Sequence, residues 1–315
     1  MTQYLQQNQV NSYGYVPPNL LVNPGMEVWQ RGIGPFLAAP TPLFSADEWH
    51  LTSSGADTLT GSQETTIVRS VTSLKLIQVG VSAGVQQGIE SYRQLEGLTL
   101  TFSVDVYAST ASVFAFLTDY NGTEDVVSVH HTGGGVWQRL TVVKTIRSGL
   151  LSKVNWPHQF GIRCGVAGGG STTYYMDNAT LVVGNFPEGI PFAPLDPATD
   201  MARCQRFYET GFARTHTSGT VSTDTNNAMQ VTIQIQSKAA VPTVTYVVES
   251  TVTETIHKYP GSAGAYSHDG TNWNIYTGAP TVAVTRDTIN IYAVRATRIY
   301  DYTFSWMFGW IAEVP

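Results

Sequence analysis

In the stretch LTLTFSVDVYAS, Leu98, Leu100, Phe102 and Val104 alternate with Thr99, Thr101, Ser103 and Asp105. Side chains of an extended chain point alternately to opposite faces, so a period of two describes a strand with one face in a core and the other among polar groups. The habit returns in TIVRSVTSLKLIQV, SVFAFLTDY, WQRLTVVKTI, QFGIRCGVAG and TYYMDNATLVVG, each divided from the next by Gly, Ser, Asp or Asn. Many short alternating segments between turn residues predict a β-sandwich or jelly roll. The 29 glycines, 16 tyrosines and abundant Thr, Val and Ser agree, being strand and turn residues.

At 315 residues the chain is long enough for two domains with separate cores. Residues 1–18 are polar, rich in Gln and Asn and closed by Pro17 and Pro18, so they are expected to form an anchoring arm ordered only by contact with something else. A first jelly-roll β-sandwich is expected over 19–184. The segment GNFPEGIPFAPLDP, with four prolines in 14 residues, marks a linker. In ATDMARCQRFYET, Met201, Cys204, Phe207 and Tyr208 fall near helical spacing, with Asp200 placed to cap the start. The linker and this short helix occupy 185–214. From 215 to 315 the alternation resumes, predicting a second, smaller β-sandwich. The fold class is all-β.

The net charge is −6 and no Lys/Arg run interleaves with aromatics, which argues against a nucleic-acid partner. The opening MTQYLQQNQVNSYGYVPP has neither a basic nor an apolar signal region, and no stretch approaches the roughly 20 apolar residues of a membrane span. The expectation is a chain made in the cytoplasm, without a signal peptide or membrane span. Cys164 and Cys204, one in each proposed domain, read as small buried hydrophobes rather than a disulfide or zinc site. Only 13% of residues are charged, too few to keep every sheet face apart from other molecules, so part of the surface is expected to be covered. In IYDYTFSWMFGWIAEVP, Tyr300, Tyr302, Phe304, Trp306, Phe308 and Trp310 share one face of a strand, while Ile299, Met307 and Ile311 make the other face apolar as well. Trp306 and Trp310 are therefore the expected oligomer interface.

Two resemblances follow from longer patterns. NLLVNPGMEVWQRG, ADEWHL, WQRLTVVKTI and YYMDNATLV, spanning Asn19 to Val183, resemble carbohydrate-binding jelly-roll modules that open with an Asn-Leu-Asn-Gly-Phe-Glu pattern and close with an aromatic strand carrying Asp and Asn. The same opening, followed after the prolines by MARCQRFYE and later by IQIQSKAAVPTVTYV and FGWIAEV, resembles a recurrent family of phage tail and virion proteins. Phe207 stands where that family has its first tyrosine, and SKAAVPTV lacks the Met-Arg pair often found before the proline. The resemblance implies a structural virion protein of a tail fibre or host-attachment appendage, with a head fibre or capsid decoration protein, or a stand-alone carbohydrate-binding module, as alternatives. It further implies residence in the virion, a homotrimer, virion partners docked through residues 1–18, and a host cell-surface glycan as ligand.

For a glycan, aromatic faces matter. Trp29, Trp49 and Trp137 sit in strand elements and are expected in the core, whereas Trp156, in KVNWPHQF, and Tyr120, in TDYNGTED, are the expected exposed glycan-binding residues. In the resembling modules the first and last strands hold structural calcium, which implies Glu27, Asp177 and Asn23 as metal ligands; the competing reading has Glu27 and Asp177 pairing with Arg31 or bonding backbone amides. His130 and His131 fall on opposite faces of a strand and do not share a metal. The runs Gly133–Gly135 and Gly168–Gly170 lack a P-loop Lys and read as turns. No GxSxG or HExxH occurs and no carboxylate pair stands out, so the expectation is no enzyme and no required cofactor.

Overall fold

The computed structural model describes residues 17–38, 43–81, 83–89, 92–118, 126–146, 161–166, 170–218, 227–238, 241–247, 264–268, 273–275, 281–295 and 303–313. Residues 1–16 of the expected arm lie outside this set. The chain divides into two units, Met1–Met201 and Ala202–Pro315. It is a β protein with one α-helix among the described residues, and no described helix is long and apolar enough to cross a membrane.

The first unit contains β1 (Phe36–Ala38), β2 (Leu43–Phe44), β3 (His50–Thr52), β4 (Thr58–Glu64), β5 (Ser73–Val79), β6 (Gly84–Gly88), β7 (Thr99–Ala108), β8 (Val113–Thr118), β9 (Val126–Val127), β10 (Val136–Thr145), β11 (Gly161–Val166) and β12 (Ser171–Val183). They form two six-stranded sheets, ordered β1-β4-β5-β12-β7-β10 and β2-β3-β6-β11-β8-β9. The alternation decides which side chains meet. Leu59, Leu74, Leu76, Phe102, Val104, Val106, Leu140, Tyr174 and Met176 of the first sheet join Leu51, Val85, Val113, Ala115 and Leu117 of the second in one buried cluster. Each large apolar side chain taken from water contributes about 1.5–3 kcal/mol, so this face-to-face packing is the main stabilising term.

The N-terminal pattern ties the sandwich shut. Asn19 donates from Nδ2 to Ala179 O at 2.9 Å and accepts from Leu181 N–H at 3.0 Å, while Leu20 N–H bonds Leu181 O at 2.9 Å. The opening of the motif is thus bound to its closing strand.

β7 differs from its expected half-buried form. Its polar residues Thr101, Ser103 and Asp105 are only 1%, 1% and 5% exposed. The cause is the proline-rich segment, which lies across this face as a strap. Thr101 Oγ1 donates to Gly184 O at 2.8 Å and accepts from Phe186 N–H at 3.0 Å, and Arg139 Nη2 donates to Ile190 O at 2.6 Å. At Gly189, with φ +80, an added Cβ would stand 2.7 Å from Thr141 Oγ1. Glycine is required there by both close approach and backbone conformation.

The helix α1 (Pro197–Gln205) begins before Asp200, which corrects the expected cap. Asp196 caps it: its Oδ2 accepts from Thr199 N–H at 3.1 Å and from Thr199 Oγ1 at 3.2 Å. Pro197 then takes the first helical position, where its fixed φ suits the helix and its missing N–H costs nothing. Asp200, freed of capping, accepts from Asn23 N–H at 3.1 Å instead.

The second unit holds β13 (Tyr208–Ser218), β14 (Asn227–Gln234), β15 (Thr243–Val247), β16 (Gly264–His268), β17 (Trp273–Ile275), β18 (Thr281–Val284), β19 (Thr288–Arg295) and β20 (Thr303–Glu313). One sheet runs β13-β20-β16-β17 with β15 also on β20, and the other runs β14-β19-β18. β20 is an interior strand. Trp306 is in register with Thr215 and Ala265, and Trp310 with Gly211 and Tyr246. Beside this sheet the Lys238 ammonium, with its side chain fully buried, pairs with Glu209 Oε2 and donates to Gln205 O at the end of α1. A cation at the carbonyl end of a helix is favourable. Burial nonetheless pushes the Lys238 amine down, with Glu209 opposing.

Candidate functional site

In β6, Val85 points into the core, so Gly84, Gln86 and Gly88 take the outer face. In β11 the residues in register with them are Gly165, Arg163 and Gly161. The middle of the second sheet therefore has two glycine pairs on its outer face, with a single Gln86–Arg163 position between them. Glycine inside a strand leaves the backbone open to close approach by a ligand or another chain. The result is a trough floored by backbone, in which Gly84 and Gln86 are buried, the latter 5% exposed, and Gly88 is partly exposed.

Its flanks are aromatic. On one side the rings of Phe44 and His50 lie 3.8 Å apart, and the Arg31 guanidinium sits 4.1 Å over Phe44. Arg31 is held by Asp47 at 3.6 Å. Burial pushes the Asp47 carboxyl up, opposed by hydrogen bonding from Gln30 and by the charge of Arg31. On the other side Phe114 packs 5.7 Å from Phe116 and stacks at 5.4 Å on the exposed His130. A glycine-rich floor between aromatic flanks suits a flat ligand.

The outer face of the first sheet carries a second aromatic group. Trp137, Tyr107 and Tyr175 stand in register across β10, β7 and β12. Tyr107 lies 5.8 Å from Trp137 and 5.7 Å from Tyr175, both edge to face. All three remain partly exposed. Burial, then the Glu64 carboxylate and Tyr107, push the Tyr175 hydroxyl up.

One row further, this face is closed. Asp105 accepts from Arg139 Nη1 at 3.1 Å and Asn178 Nδ2 at 3.2 Å. Asp177 accepts from Arg69 N–H at 3.0 Å, Ser70 N–H at 3.1 Å and Asn178 N–H at 2.7 Å. Burial dominates these bonds and raises the Asp177 carboxyl from 3.8 to about 6. Asp177 is 0% and Asp105 5% exposed, so this carboxylate pair has no access to a dissolved substrate.

Of the expected calcium ligands Glu27, Asp177 and Asn23, the last two are engaged by protein groups. Glu27 is exposed, and both Asp177 oxygens face N–H or O–H donors. Asn23 is a turn hub instead: Oδ1 accepts from Glu27 and Val28 N–H at 2.9 and 3.0 Å, and Nδ2 donates to Val28 O and Asp47 O at 2.9 and 3.2 Å. Its own carbonyl accepts from Trp49 Nε1 at 2.9 Å. Among the described residues no three His, Cys, Asp or Glu side chains converge to hold a metal.

Trp49 is core, 1% exposed, and Trp29 packs against the core. Trp137 departs from the core expectation by lying on the outer face. Tyr120 and Trp156 lie outside the described residues, as do Tyr300, Tyr302, Gly168 and Gly169. The paired ends Thr118 and Gly161 are where the segments bearing Tyr120 and Trp156 leave β8 and enter β11. His131 is 1% exposed and orders the glycine turn, with Nδ1 accepting from Gly133 N–H at 2.8 Å and Nε2 donating to Val136 O at 3.1 Å.

No protein-family model matches the chain, and no curated protein matches it. Among solved structures it is similar to a CBM22-1 xylan-binding domain from Paenibacillus barcinonensis, with 10% identity and TM-score 0.35 over 54% of this chain and 97% of that one. A family 11 carbohydrate-binding module from Clostridium thermocellum, in complex with a β-1,3-1,4-mixed-linked tetrasaccharide, matches at 13% identity and TM-score 0.31, over 46% and 95%. The enzymatically active domain of bacteriophage CBA120 tailspike protein 4 matches at 12% identity and TM-score 0.32, over 52% of this chain and 21% of that chain.

Proposed function

We propose that this chain is a non-enzymatic component of a bacteriophage host-attachment appendage whose first unit binds a cell-surface glycan in the trough on β6 and β11. The observation that carries the glycan reading is the pair of facing G-x-x-x-G strands, Gly84–Gly88 and Gly161–Gly165, set between aromatic flanks. A pyranose offers an apolar ring face, which the aromatic flanks match in kind. The virion assignment rests on the resemblance of NLLVNPGMEVWQRG, ADEW and MARCQRFYE to phage appendage proteins. In this reading residues 1–18 anchor the chain, copies assemble as a trimer, and Trp306 and Trp310 contribute to their contact.

The test is binding of the full chain to a glycan array, repeated with Gly88→Val and Gly165→Val. Each adds bulk to the floor at a strand position that favours a β-branched residue. Binding by the wild type and at least a tenfold loss in both variants, with unchanged melting, is expected. Absence of any glycan bound at millimolar concentration overturns the reading.

A further inference from the structure

Trp137, Tyr107 and Tyr175 form a row that the core does not need and that the strap leaves uncovered. The strap and the Arg69–Ser70 segment cover the Asp105 row and those beyond it, where Thr101, Ser103 and Asp177 are all buried. Cover stops at the aromatic row. There three large rings remain partly exposed side by side on a sheet face, more aromatic surface than a single scattered side chain and of the kind that marks a contact site.

The chemistry around the row selects its occupant. Lys75 is in register with Tyr175, and Ser62 with Lys75, so a polar edge continues the line across β5 and β4. Glu64, beside Lys75 on β4, is fixed by its own turn: Oε1 accepts from Thr65 N–H at 2.9 Å, Thr66 N–H at 2.8 Å and Thr66 Oγ1 at 2.6 Å. Those bonds hold the Glu64 carboxyl below its ordinary value, and Oε2 takes none of them. A carboxylate, an ammonium and two phenol hydroxyls thus border exposed ring area. At the Trp137 end the chain turns through Gly133, Gly134 and Gly135, all at positive φ, and nothing lies within 4 Å of the Cβ position at Gly134.

A second protein copy would call for a continuous apolar surface at the centre of its contact. This row is stepped instead, because its rings meet edge to face at 61° and 78°, and charges and hydroxyls border it. Steps one strand apart, lined by ring faces and hydrogen-bonding edges, fit successive sugar rings. One acidic and one basic group side by side favour no net charge in the ligand.

We infer that the Trp137–Tyr107–Tyr175 row, with Lys75, Ser62 and Glu64, is a second carbohydrate-binding site for a neutral, extended pyranose chain, on the sheet opposite the trough. The inference rests on the glycan reading above and deepens it. Two sites on opposite faces of one sandwich let a single unit engage two glycan segments, and repetition in an oligomer multiplies the effect by avidity.

The test uses the full chain in four forms: wild type, Gly88→Val, Trp137→Ala/Tyr175→Ser, and all three substitutions together. Each is titrated calorimetrically with a neutral oligosaccharide identified on the array. Two sites in the wild type, one in each partial variant and none in the combined one are expected, with quenching or a blue shift of Trp137 fluorescence that survives Gly88→Val. Binding abolished outright by Gly88→Val, with no effect of the Trp137 and Tyr175 changes, overturns the second site and leaves the trough standing. Binding untouched by Gly88→Val and lost with Trp137 and Tyr175 supports the row and overturns the trough. Absence of wild-type binding overturns both. Trp137→Phe, which keeps an aromatic face, serves if the alanine variant melts early, and is expected to retain at least a third of the row's affinity.

Discussion

Asp105 and Asp177 face each other in register across β7 and β12, two buried carboxylates with unequal partners. Asp105 has guanidinium groups, Arg139 at 3.1 Å and Arg69 at 3.5 Å. Asp177 has backbone amides and the Ser70 hydroxyl. The sheet thereby fastens the strap through Arg139 and the 69–70 segment through Asp177.

Asp177→Ala removes the buried acceptor for three backbone amides and is expected to cost about 1–3 kcal/mol at neutral pH. The pH dependence has a definite sign. The folded value of about 6 lies above the ordinary 3.8, so the folded chain holds the extra proton between about pH 4 and 6. Ionised Asp177 therefore weakens the fold as pH rises through that window, and the penalty is absent below it. The deficit of Asp177→Ala relative to wild type should grow on acidification from pH 7 to 4, by up to about 3 kcal/mol. Urea unfolding at several pH values measures it. A deficit that shrinks on acidification contradicts this account.

Asn23 combines a left-handed backbone, φ 48, with four side-chain hydrogen bonds. Asn23→Ala is expected to cost about 3 kcal/mol, since it strands buried amides and carbonyls and puts a Cβ in a disfavoured conformation. Asn23→Gly removes the same bonds without the backbone penalty, and should be less harmful by about 1 kcal/mol. Urea midpoints at constant slope give both numbers.

These residues show where the sequence was legible. The period of two placed Leu100, Phe102 and Val104 in the core correctly, because alternation follows directly from strand geometry. It could not reveal that Ser103 and Asp105 are also buried, since a strap arriving from residue 184 onward leaves no mark on β7 itself. Asn23 and Asp177 stood out through the resemblance, yet their partners came from Arg69, Ser70 and Val28, which no spacing rule linked to them. The trough was not anticipated, the expected glycan residues being Tyr120 and Trp156, although GVQQG and GIRCG are strand-like segments with glycine at both ends. Only the register of β6 on β11 shows that these glycines face each other. The helix start was misplaced because Pro197 was read as a breaker, whereas a proline after Asp196 is an initiation signal.

Lys238 carries the corresponding risk in the second unit. Lys238→Met leaves Glu209 and the Gln205 carbonyl without their buried cation and is expected to cost about 3 kcal/mol. Adding Glu209→Gln should recover part of the loss, because an unpaired carboxylate is the costlier remnant. A double-mutant cycle on the full chain measures the coupling, and strict additivity would dissolve the pair.

Trp49 and Trp137 are the same residue type in opposite circumstances, and their truncation separates packing from surface. Trp49 is 1% exposed, sits in the central cluster and donates from Nε1 to the Asn23 carbonyl. Trp49→Ala opens a cavity too large for the sandwich to close and also orphans that carbonyl, so the expected loss is about 3–5 kcal/mol. Trp137 gives up one edge contact with Tyr107 and some half-exposed area. Its truncation is expected to cost about 1 kcal/mol, close to the worth of an aromatic pair. For a unit of this size each kcal/mol moves the melting temperature by roughly 2–4 °C, so the two variants should differ by at least about 4 °C. Equal losses would mean that the outer face of β10 is covered and that the row is part of a core, which would also remove the basis for placing a sugar there.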